Sequence, residues 1–240
     1  MNNLEGTVSH TGSTKRRLLE HSARILAKGG PEALQVCTVA EQIDVPVDEA
    51  KSYFEDDRDL YIQTSRFLDE RIRVATFEAL DKLSEDASPI EKMRESARVY
   101  FNLAIDNPAY FAAYNNCETA TSFPNFEDGI EQAKSFDAFP PIFRWLLAHM
   151  REAAIAARGS FDHRLVVIQS LTFLSELQGI THLATFGIMR HLSPAAKKQT
   201  FNACMETMFS GLEVILRKGE NISYEPQARV GEQPVPVTTA

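Results

Sequence analysis

The chain has few residues in arrangements that could carry out catalytic or metal chemistry. Its histidines form no HxxxH or HExxH pair that would place two metal ligands on one helix face. No GxSxG, GxGxxG or P-loop motif is present. The three cysteines are far apart and form no CxxC pair, which argues against a disulfide framework or a structural zinc site: Cys37, Cys117 and Cys204. The sequence therefore predicts no enzymatic activity, no metal and no cofactor.

The charged residues limit the kinds of partner that the chain can bind. The net charge of −8 argues against a protein that coats nucleic acid indiscriminately. It is compatible with a DNA-reading protein whose basic residues are concentrated in one place, such as Lys15, Arg16 and Arg17. No stretch approaches the roughly 18 apolar residues that a membrane-spanning helix needs. Residues 1–13 lack the pattern of a signal peptide. We therefore expect a cytoplasmic protein with no membrane partner.

The elements that must position these residues are predicted to be helices. Helix start and stop signals are frequent and strand signals are nearly absent, so an all-α fold is expected. The clearest start is at Ser88, where Pro89 and Glu91 complete a capping box. Residues 121–141, rich in proline and phenylalanine, are predicted to form an irregular loop, and residues 220–240 a disordered tail. The predicted helices are 14–28, 38–43, 47–54, 58–83, 89–106, 108–119, 141–158, 161–190 and 194–218.

Residues 36–54 have the pattern of a helix-turn-helix unit. Two short helices must cross tightly so that the second can lie in a major groove of DNA. Ala40 supplies the small residue that such a crossing needs. Asp44 stands at the turn, where a positive φ is required and aspartate is among the few tolerated residues. The inner faces of the two helices are predicted to be apolar: Val39, Ile43, Val45, Ala50 and Phe54.

The run TVAEQIDVPVDEAKSYFEDDRDLY resembles the signature of tetracycline-repressor (TetR) type regulators. It begins about ten residues after a first helix that ends in Gly-Gly. The layout of three helices, a long connector and two long C-terminal helices is also similar, and LQGITHLATFGIMRHLSP resembles the eighth helix of one subgroup. The similarity extends over about residues 14–217. Matching positions in the signature are Thr38, Ala40, Ile43, Val45, Phe54 and Leu60.

The resemblance implies a domain organisation. We expect an N-terminal three-helix helix-turn-helix domain at 14–60 and a larger helical domain for ligand binding and dimerisation at 61–219. Residues 1–13 are expected to form a flexible tail. The homodimer would be built on the last two helices, of which 161–190 would be about 45 Å long.

The resemblance also implies contacts with double-stranded operator DNA. In this fold the start of the first helix lies next to the DNA backbone. Thr38 is expected to cap the second helix, whose N–H groups can face a phosphate. Asp48 or Glu49 could accept a hydrogen bond from cytosine N4. The predicted DNA-binding residues are Lys15, Arg16, Thr38, Val47, Asp48, Lys51, Ser52 and Tyr53.

The sequence departs from the family pattern at five positions. The turn glycine is Asp44, the following serine is Pro46, the recognition-helix tyrosine is Lys51, the histidine is Tyr53, and the lysine that opens the fourth helix is Asp57. Residues 14–60 contain 7 basic and 10 acidic residues, a net charge of −3. Phosphate contacts require local positive charge, so DNA binding should be weaker, or more dependent on few contacts, than is usual for the family.

The aromatic residues of the larger domain indicate a ligand pocket. Most aromatic residues at helical spacing belong to a core, but the resemblance implies a pocket between these helices for a small apolar or aromatic effector. The expected function is that of a ligand-responsive regulator, specifically a repressor. The alternative is a ligand-binding or protein-interaction module that kept the fold and has weak or no specific DNA binding. The predicted ligand-binding residues are Phe77, Tyr100, Phe101, Tyr114, Phe143, Trp145, Gln169 and Phe173.

Overall fold

The computed structural model describes residues 5–115 and 141–219, with side chains at 14–115 and 143–219. Over these ranges the chain is all-α and has no strand, which confirms the predicted fold class. The predicted loop at 121–141, apart from its last residue, and the predicted tail at 220–240 lie outside the described residues. The helices are α1 (Glu5–Gly29), α2 (Val36–Gln42), α3 (Val47–Lys51), α4 (Asp57–Leu80), α5 (Pro89–Asp106), α6 (Pro108–Asn115), α7 (Pro141–Arg158), α8 (His163–Thr185) and α9 (Pro194–Lys218), with a 3₁₀ turn at Pro31–Ala33.

The capping signals in the sequence act as predicted. At the start of α5, the Glu91 amide donates to Ser88 Oγ at 3.2 Å, and the Ser88 amide donates to Glu91 Oε2 at 2.7 Å. At the start of α9, the Ala196 amide donates to Ser193 Oγ at 3.2 Å. Helix α9 ends at Gly219, whose φ of 77° is the left-handed conformation that glycine adopts without strain. Ser88, Glu91 and Ser193 thereby satisfy amides that would otherwise lack partners at the helix starts.

Helix α1 begins at Glu5, nine residues before the predicted start at Thr14. Residues 5–13 were expected to form part of a flexible tail because they contain two glycines and few apolar residues. Extending a helix that is already nucleated adds one hydrogen bond for each residue that becomes ordered. The backbone can therefore remain helical past the point where the apolar pattern ends.

Helix α8 spans His163–Thr185 and is shorter at both ends than the predicted 161–190. Its 23 residues correspond to about 35 Å rather than about 45 Å. Beyond Thr185, the amides of Phe186 and Gly187 both donate to the His182 carbonyl, which closes the helix. The chain then folds back so closely that a Cβ at position 187 would lie 2.8 Å from the Leu183 Cα. Gly187 therefore ends the helix by allowing this close approach.

Helix α3 is also shorter than predicted and ends at Lys51 rather than at Phe54. Two turn hydrogen bonds of 3.0 Å follow it, from the Ser52 amide to the Glu49 carbonyl and from the Tyr53 amide to the Ala50 carbonyl. This tighter turn accompanies the burial of Phe54, which is only 2% exposed. The second helix of the helix-turn-helix unit is consequently short and is followed by a turn.

Three hydrophobic clusters hold the helices together. The first, which we call the helix-turn-helix core, packs the four helices α1, α2, α3 and α4 together and includes Leu18, Val39, Ala50, Phe54 and Leu60. The second, which we call the junction core, joins α1, α4 and α6 through Ala23, Leu26, Leu68, Ala113 and Tyr114. The third is the main core of α5, α7, α8 and α9, and its largest members include Phe101, Phe143, Met150, Phe173 and Phe209. Within the described ranges, no helix is long and apolar enough to cross a membrane.

The turn between α2 and α3 provides a test of backbone strain. Asp44 has a φ of 53°, the left-handed region that side chains with a branched Cβ tolerate poorly. We expect Asp44→Val to lower the free energy of unfolding by about 1–2 kcal/mol relative to Asp44→Gly. Chemical denaturation of both variants measures this difference. Equal stabilities would show that the turn can relax to a negative φ.

Candidate nucleic-acid interface and neighbouring cavity

The helix-turn-helix crossing has the geometry that the sequence predicts. Ala40 is fully buried where α2 meets α3, and its carbonyl accepts a hydrogen bond from the Val45 amide at 3.0 Å. Asp44 makes the turn between the two helices in the left-handed conformation. The buried side chains of Val39 and Phe54 close the inner faces. The outer face of α3 is thereby turned away from the core.

Two side chains of α1 hold the C-terminal end of α2. Arg17 donates from Nη2 to the Ile43 carbonyl at 3.1 Å, and His21 Nε2 lies 2.7 Å from Gln42 Oε1. Sequence reasoning missed this role, although the spacing of four residues places both side chains on one face of α1. Arg17 thus remains exposed while one of its N–H groups is engaged with the backbone of the helix-turn-helix unit.

The other two basic residues of the cluster have different surroundings. Lys15 Nζ lies 5.9 Å from the centre of the Phe54 ring, which places it near the end of α3. Arg16 is exposed and forms an ion pair with Glu20, one turn along the same helix, at 3.0 Å. An exposed pair of this kind contributes little to stability, so its guanidinium can exchange Glu20 for a phosphate.

The outer face of α3 presents both signs of charge. Asp48, Lys51 and Ser52 are exposed, whereas Val47 is half-buried and packs against the helix-turn-helix core. Ser52 Oγ donates to the Glu49 carbonyl at 2.6 Å. Tyr53 is half-buried, with its hydroxyl 3.5 Å from Glu49 Oε1, and burial together with the Glu49 charge raises the pKa of Tyr53. Asp48 and Lys51 are therefore the charged side chains that point most freely into solvent here.

The start of α2 differs from the prediction that Thr38 caps it. The cap position is Gln35, and Thr38 lies inside the helix, donating from Oγ1 to Gln35 Oε1 at 3.3 Å. The first amide of the helix, that of Val36, instead donates to Asp57 Oδ1 at 2.8 Å. Because Asp57 is the first residue of α4, its carboxylate ties the starts of two helices together. It also places a negative charge where the resemblance implies a phosphate.

A small cavity lies between α4, α5 and α6, next to the junction core. Its volume is about 40 Å³. The Tyr100 hydroxyl is buried and has no hydrogen-bond partner among the described residues, and burial raises the pKa of Tyr100. Arg71 is exposed at the cavity, stacked on the Tyr110 ring with its guanidinium carbon 4.6 Å from the ring centre. The lining consists of Leu68, Arg71, Ile72, Tyr100, Leu103, Ala104, Asn107, Tyr110, Phe111 and Tyr114.

Two of the eight predicted ligand-binding residues, Tyr100 and Tyr114, line this cavity. Sequence reasoning missed Arg71, Asn107 and Tyr110. One available signal was that the tyrosines at 110 and 114 are four residues apart and therefore share a face of α6.

The other six predicted ligand-binding residues lie outside the cavity lining. Phe101, Phe143, Gln169 and Phe173 are buried, and the Phe101 ring stacks on Phe201 with ring centres 4.2 Å apart. Trp145 is half-buried and stacks on His149. Phe77 is 43% exposed on α4.

The tie between Asp57 and Val36 can be tested by stability. Asp57→Ala removes the acceptor of the first α2 amide, and we expect the free energy of unfolding to fall by about 1 kcal/mol. Asp57→Asn keeps an oxygen acceptor and should lose less. Glu55→Ala, at an exposed neighbouring carboxylate, serves as the control and should change stability by less than about 0.5 kcal/mol. Urea denaturation showing equal losses for Asp57→Ala and Glu55→Ala would contradict the role of Asp57.

Comparison with known proteins relates this arrangement to solved structures. No protein-family model matches the chain, and no curated protein sequence matches it. A protein assigned as a transcriptional regulator from Pseudomonas aeruginosa PAO1 superposes with a TM-score of 0.63 at 16% identity, covering 87% of this chain and 95% of that one. A TetR family transcription regulator from Marinobacter aquaeolei VT8 superposes with a TM-score of 0.58 at 12% identity, covering 82% and 96%. A protein assigned as a transcription regulator from Lactobacillus plantarum gives 0.54 at 14% identity, covering 80% and 97%. The chain therefore has the fold of TetR-type transcription regulators.

Proposed function

We propose that the chain is a ligand-responsive transcriptional repressor that binds palindromic operator DNA as a homodimer in the cytoplasm. The observation that carries this proposal is the helix-turn-helix crossing, with Ala40 buried, Asp44 in the left-handed turn and the outer face of α3 exposed. A recognition helix presented in this way can enter a major groove. The fold of transcription regulators supports the same conclusion.

The proposed DNA contacts are of two kinds: contacts with phosphates that position the protein, and contacts with base edges that read the sequence. Lys15, whose amino group lies near Phe54 after α3, and the exposed Arg16 would contact phosphates and fix the register. Lys51 would contact a guanine or a phosphate, and Asp48 would accept from a cytosine amino group. Val47, Ser52 and Tyr53 would pack against bases or sugars at the ends of α3, and Thr38 would face the backbone from α2.

The local charge favours a second candidate function. The net charge of −3 over residues 14–60 opposes the polyanionic backbone of DNA. The Asp57 carboxylate adds a negative charge at the start of α2, and one N–H of Arg17 is engaged with the Ile43 carbonyl. A regulator-fold module that binds a ligand or a protein and has little affinity for DNA would show these features.

The proposed homodimer uses the surface formed by the end of α8, the following turn and α9. Large apolar side chains are exposed there, including Ile188 at 87% and Leu183 at 40%. Leu192 and Val214 are exposed to a similar degree as Leu183. Leu177 and Leu212 of the same two helices are buried in the core of the protomer.

The proposed coupling between ligand and DNA runs through two helices. Helix α4 contributes Leu60 to the helix-turn-helix core and Leu68 to the junction core, and it reaches the cavity at Arg71. Helix α1 contributes Leu18 and Leu26 to the same two cores. A ligand that binds two arrangements of these helices with different affinity would shift the recognition helices.

Selection from a random pool of double-stranded DNA tests the function directly. The full chain should enrich a palindromic sequence with half-sites about one helical turn apart. Lys51→Ala should weaken binding to the enriched site by about 1–3 kcal/mol and lower the slope of its salt dependence by about 1. Lys28→Ala, near the C-terminal end of α1, is the matched control. It should leave both the binding free energy and the slope of the salt dependence unchanged.

Failure to enrich any sequence with the folded protein would favour the non-DNA module. An enriched site that Lys51→Ala binds as well as the parent would retain the proposed function and remove Lys51 from the interface.

Dimerisation can be tested separately from DNA binding. Ile188→Glu places a charge on the exposed turn after α8, where it should disrupt the dimer without opening the core of the protomer. We expect light scattering to show a dimer for the parent and a monomer for this variant. Val74→Glu, at a 41% exposed valine of α4, should remain dimeric. A parent that is monomeric at micromolar concentration would overturn the proposed assembly.

A further inference from the structure

The turn between α3 and α4 is held against the first two turns of α4 by hydrogen bonds. Gln63 donates from Nε2 to the Tyr53 carbonyl at 3.2 Å and to Asp59 Oδ2 at 2.7 Å. Asp59 Oδ2 also accepts a hydrogen bond from the Glu55 amide at 3.1 Å. Because Asp59 and Gln63 are four residues apart, they share one face of α4. The backbone is therefore held by α4 on both sides of Phe54.

The two acceptors determine how the Gln63 side chain is oriented. A carbonyl oxygen and an ionised carboxylate accept hydrogen bonds and cannot donate them, so the amide nitrogen of Gln63 must face both. That nitrogen carries two N–H groups, one for each acceptor. Gln63 is half-buried, and a hydrogen bond is stronger where water is partly excluded. Asp59 thus fixes Gln63, and Gln63 in turn fixes the carbonyl of Tyr53.

Tyr53 depends on this contact because helix α3 has already ended. The last residue of α3 is Lys51, so the Tyr53 carbonyl lies outside the hydrogen bonds of that helix. The Tyr53 ring makes an edge contact with Phe54 at 6.4 Å between ring centres, and its hydroxyl lies 3.5 Å from Glu49 Oε1. The side chain extends from the same turn that Gln63 holds. A change in the backbone there therefore moves the ring as well.

We infer that Gln63 is a positioning residue for DNA binding, which acts through Tyr53 and does not itself contact DNA. The inference rests on the proposed function, in which Tyr53 packs against bases or sugars. It adds a direct hydrogen bond between α4 and the residues that follow α3. A shift of α4 would reach Tyr53 through this hydrogen bond as well as through the helix-turn-helix core.

A double-mutant cycle on operator binding tests whether Gln63 acts through Tyr53. Gln63→Met keeps the length of the side chain and removes both N–H donors, so it should weaken binding to the enriched palindrome by about three- to tenfold. The slope of the salt dependence should stay the same, because no charge changes. In a Tyr53→Ala background, Gln63→Met should weaken binding by less than about twofold, since the side chain that it positions is missing. An equal loss in both backgrounds would show a general structural role and overturn the inference.

Gln42→Met is the matched control for a hydrogen bond within the same unit. Gln42 meets His21 of α1 rather than Tyr53, so its cost in operator binding should be the same with and without Tyr53→Ala. If urea denaturation shows that Gln63→Met does not fold, Gln63→Asn takes its place, because the same amide on a shorter side chain should not reach both acceptors. Unchanged operator binding by the folded Gln63 variant would also overturn the inference.

Hydrogen exchange measures the hold on the turn without DNA. The Tyr53 amide donates to the Ala50 carbonyl and the Glu55 amide to Asp59, and Gln63→Met should make both exchange severalfold faster. Mass spectrometry of a peptide covering 51–56 reports on both amides. Unchanged exchange would show that Gln63 does not hold the turn, whether or not a palindrome is enriched. Faster exchange without an enriched palindrome would overturn the proposed function, and with it the role in DNA binding, and would leave Gln63 as the residue that holds the turn.

Discussion

Helix α1 packs into two hydrophobic cores at once, and the rest of the structure depends on this double contact. Leu18 and Leu19 belong to the helix-turn-helix core, while Ala23 and Leu26 belong to the junction core with α4 and α6. Each buried leucine contributes about 2 kcal/mol, so separating either contact would be costly. The position of α3, which packs in the helix-turn-helix core, is thereby linked to the packing around the cavity. Movement of α6 or α4 must be transmitted to α1 or strain one of the two cores.

The N-terminal unit uses much of its polar chemistry to hold itself together. Arg17 binds the end of α2, Asp57 binds its start, and Asp56 accepts from the Asp59 amide at 2.7 Å to begin α4. These contacts fix both ends of the seven-residue helix α2 and the start of α4. The same contacts engage one N–H of the exposed Arg17 and place the Asp57 carboxylate at the start of α2. The Asp57 carboxylate that stabilises the unit therefore also lowers its local positive charge.

The cavity lies close to both helices that enter the N-terminal unit. Its lining includes Arg71 and Ile72 of α4, and Tyr110 and Tyr114 of α6, which packs on α1. By contrast, the aromatic rings of Phe101, Phe143 and Phe173 fill the main core. The cavity is thus in direct contact with α4 and, through α6, with the junction core that includes α1.

The sequence by itself determined the helical elements, the helix-turn-helix crossing and most helix starts. These features depend on short-range chemistry: the Ser88 capping box, the Asp44 turn and the apolar spacing of α1 each act within a few residues. Only the tertiary structure decided that Asp57 serves α2, that Gly187 ends α8 and that Phe101 is core while Tyr100 lines the cavity. Neighbouring aromatic residues of one helix look alike in sequence, and which of them meets a partner depends on how distant helices pack. Burial, the supply of hydrogen-bond partners and the local balance of charge are set by those long-range contacts.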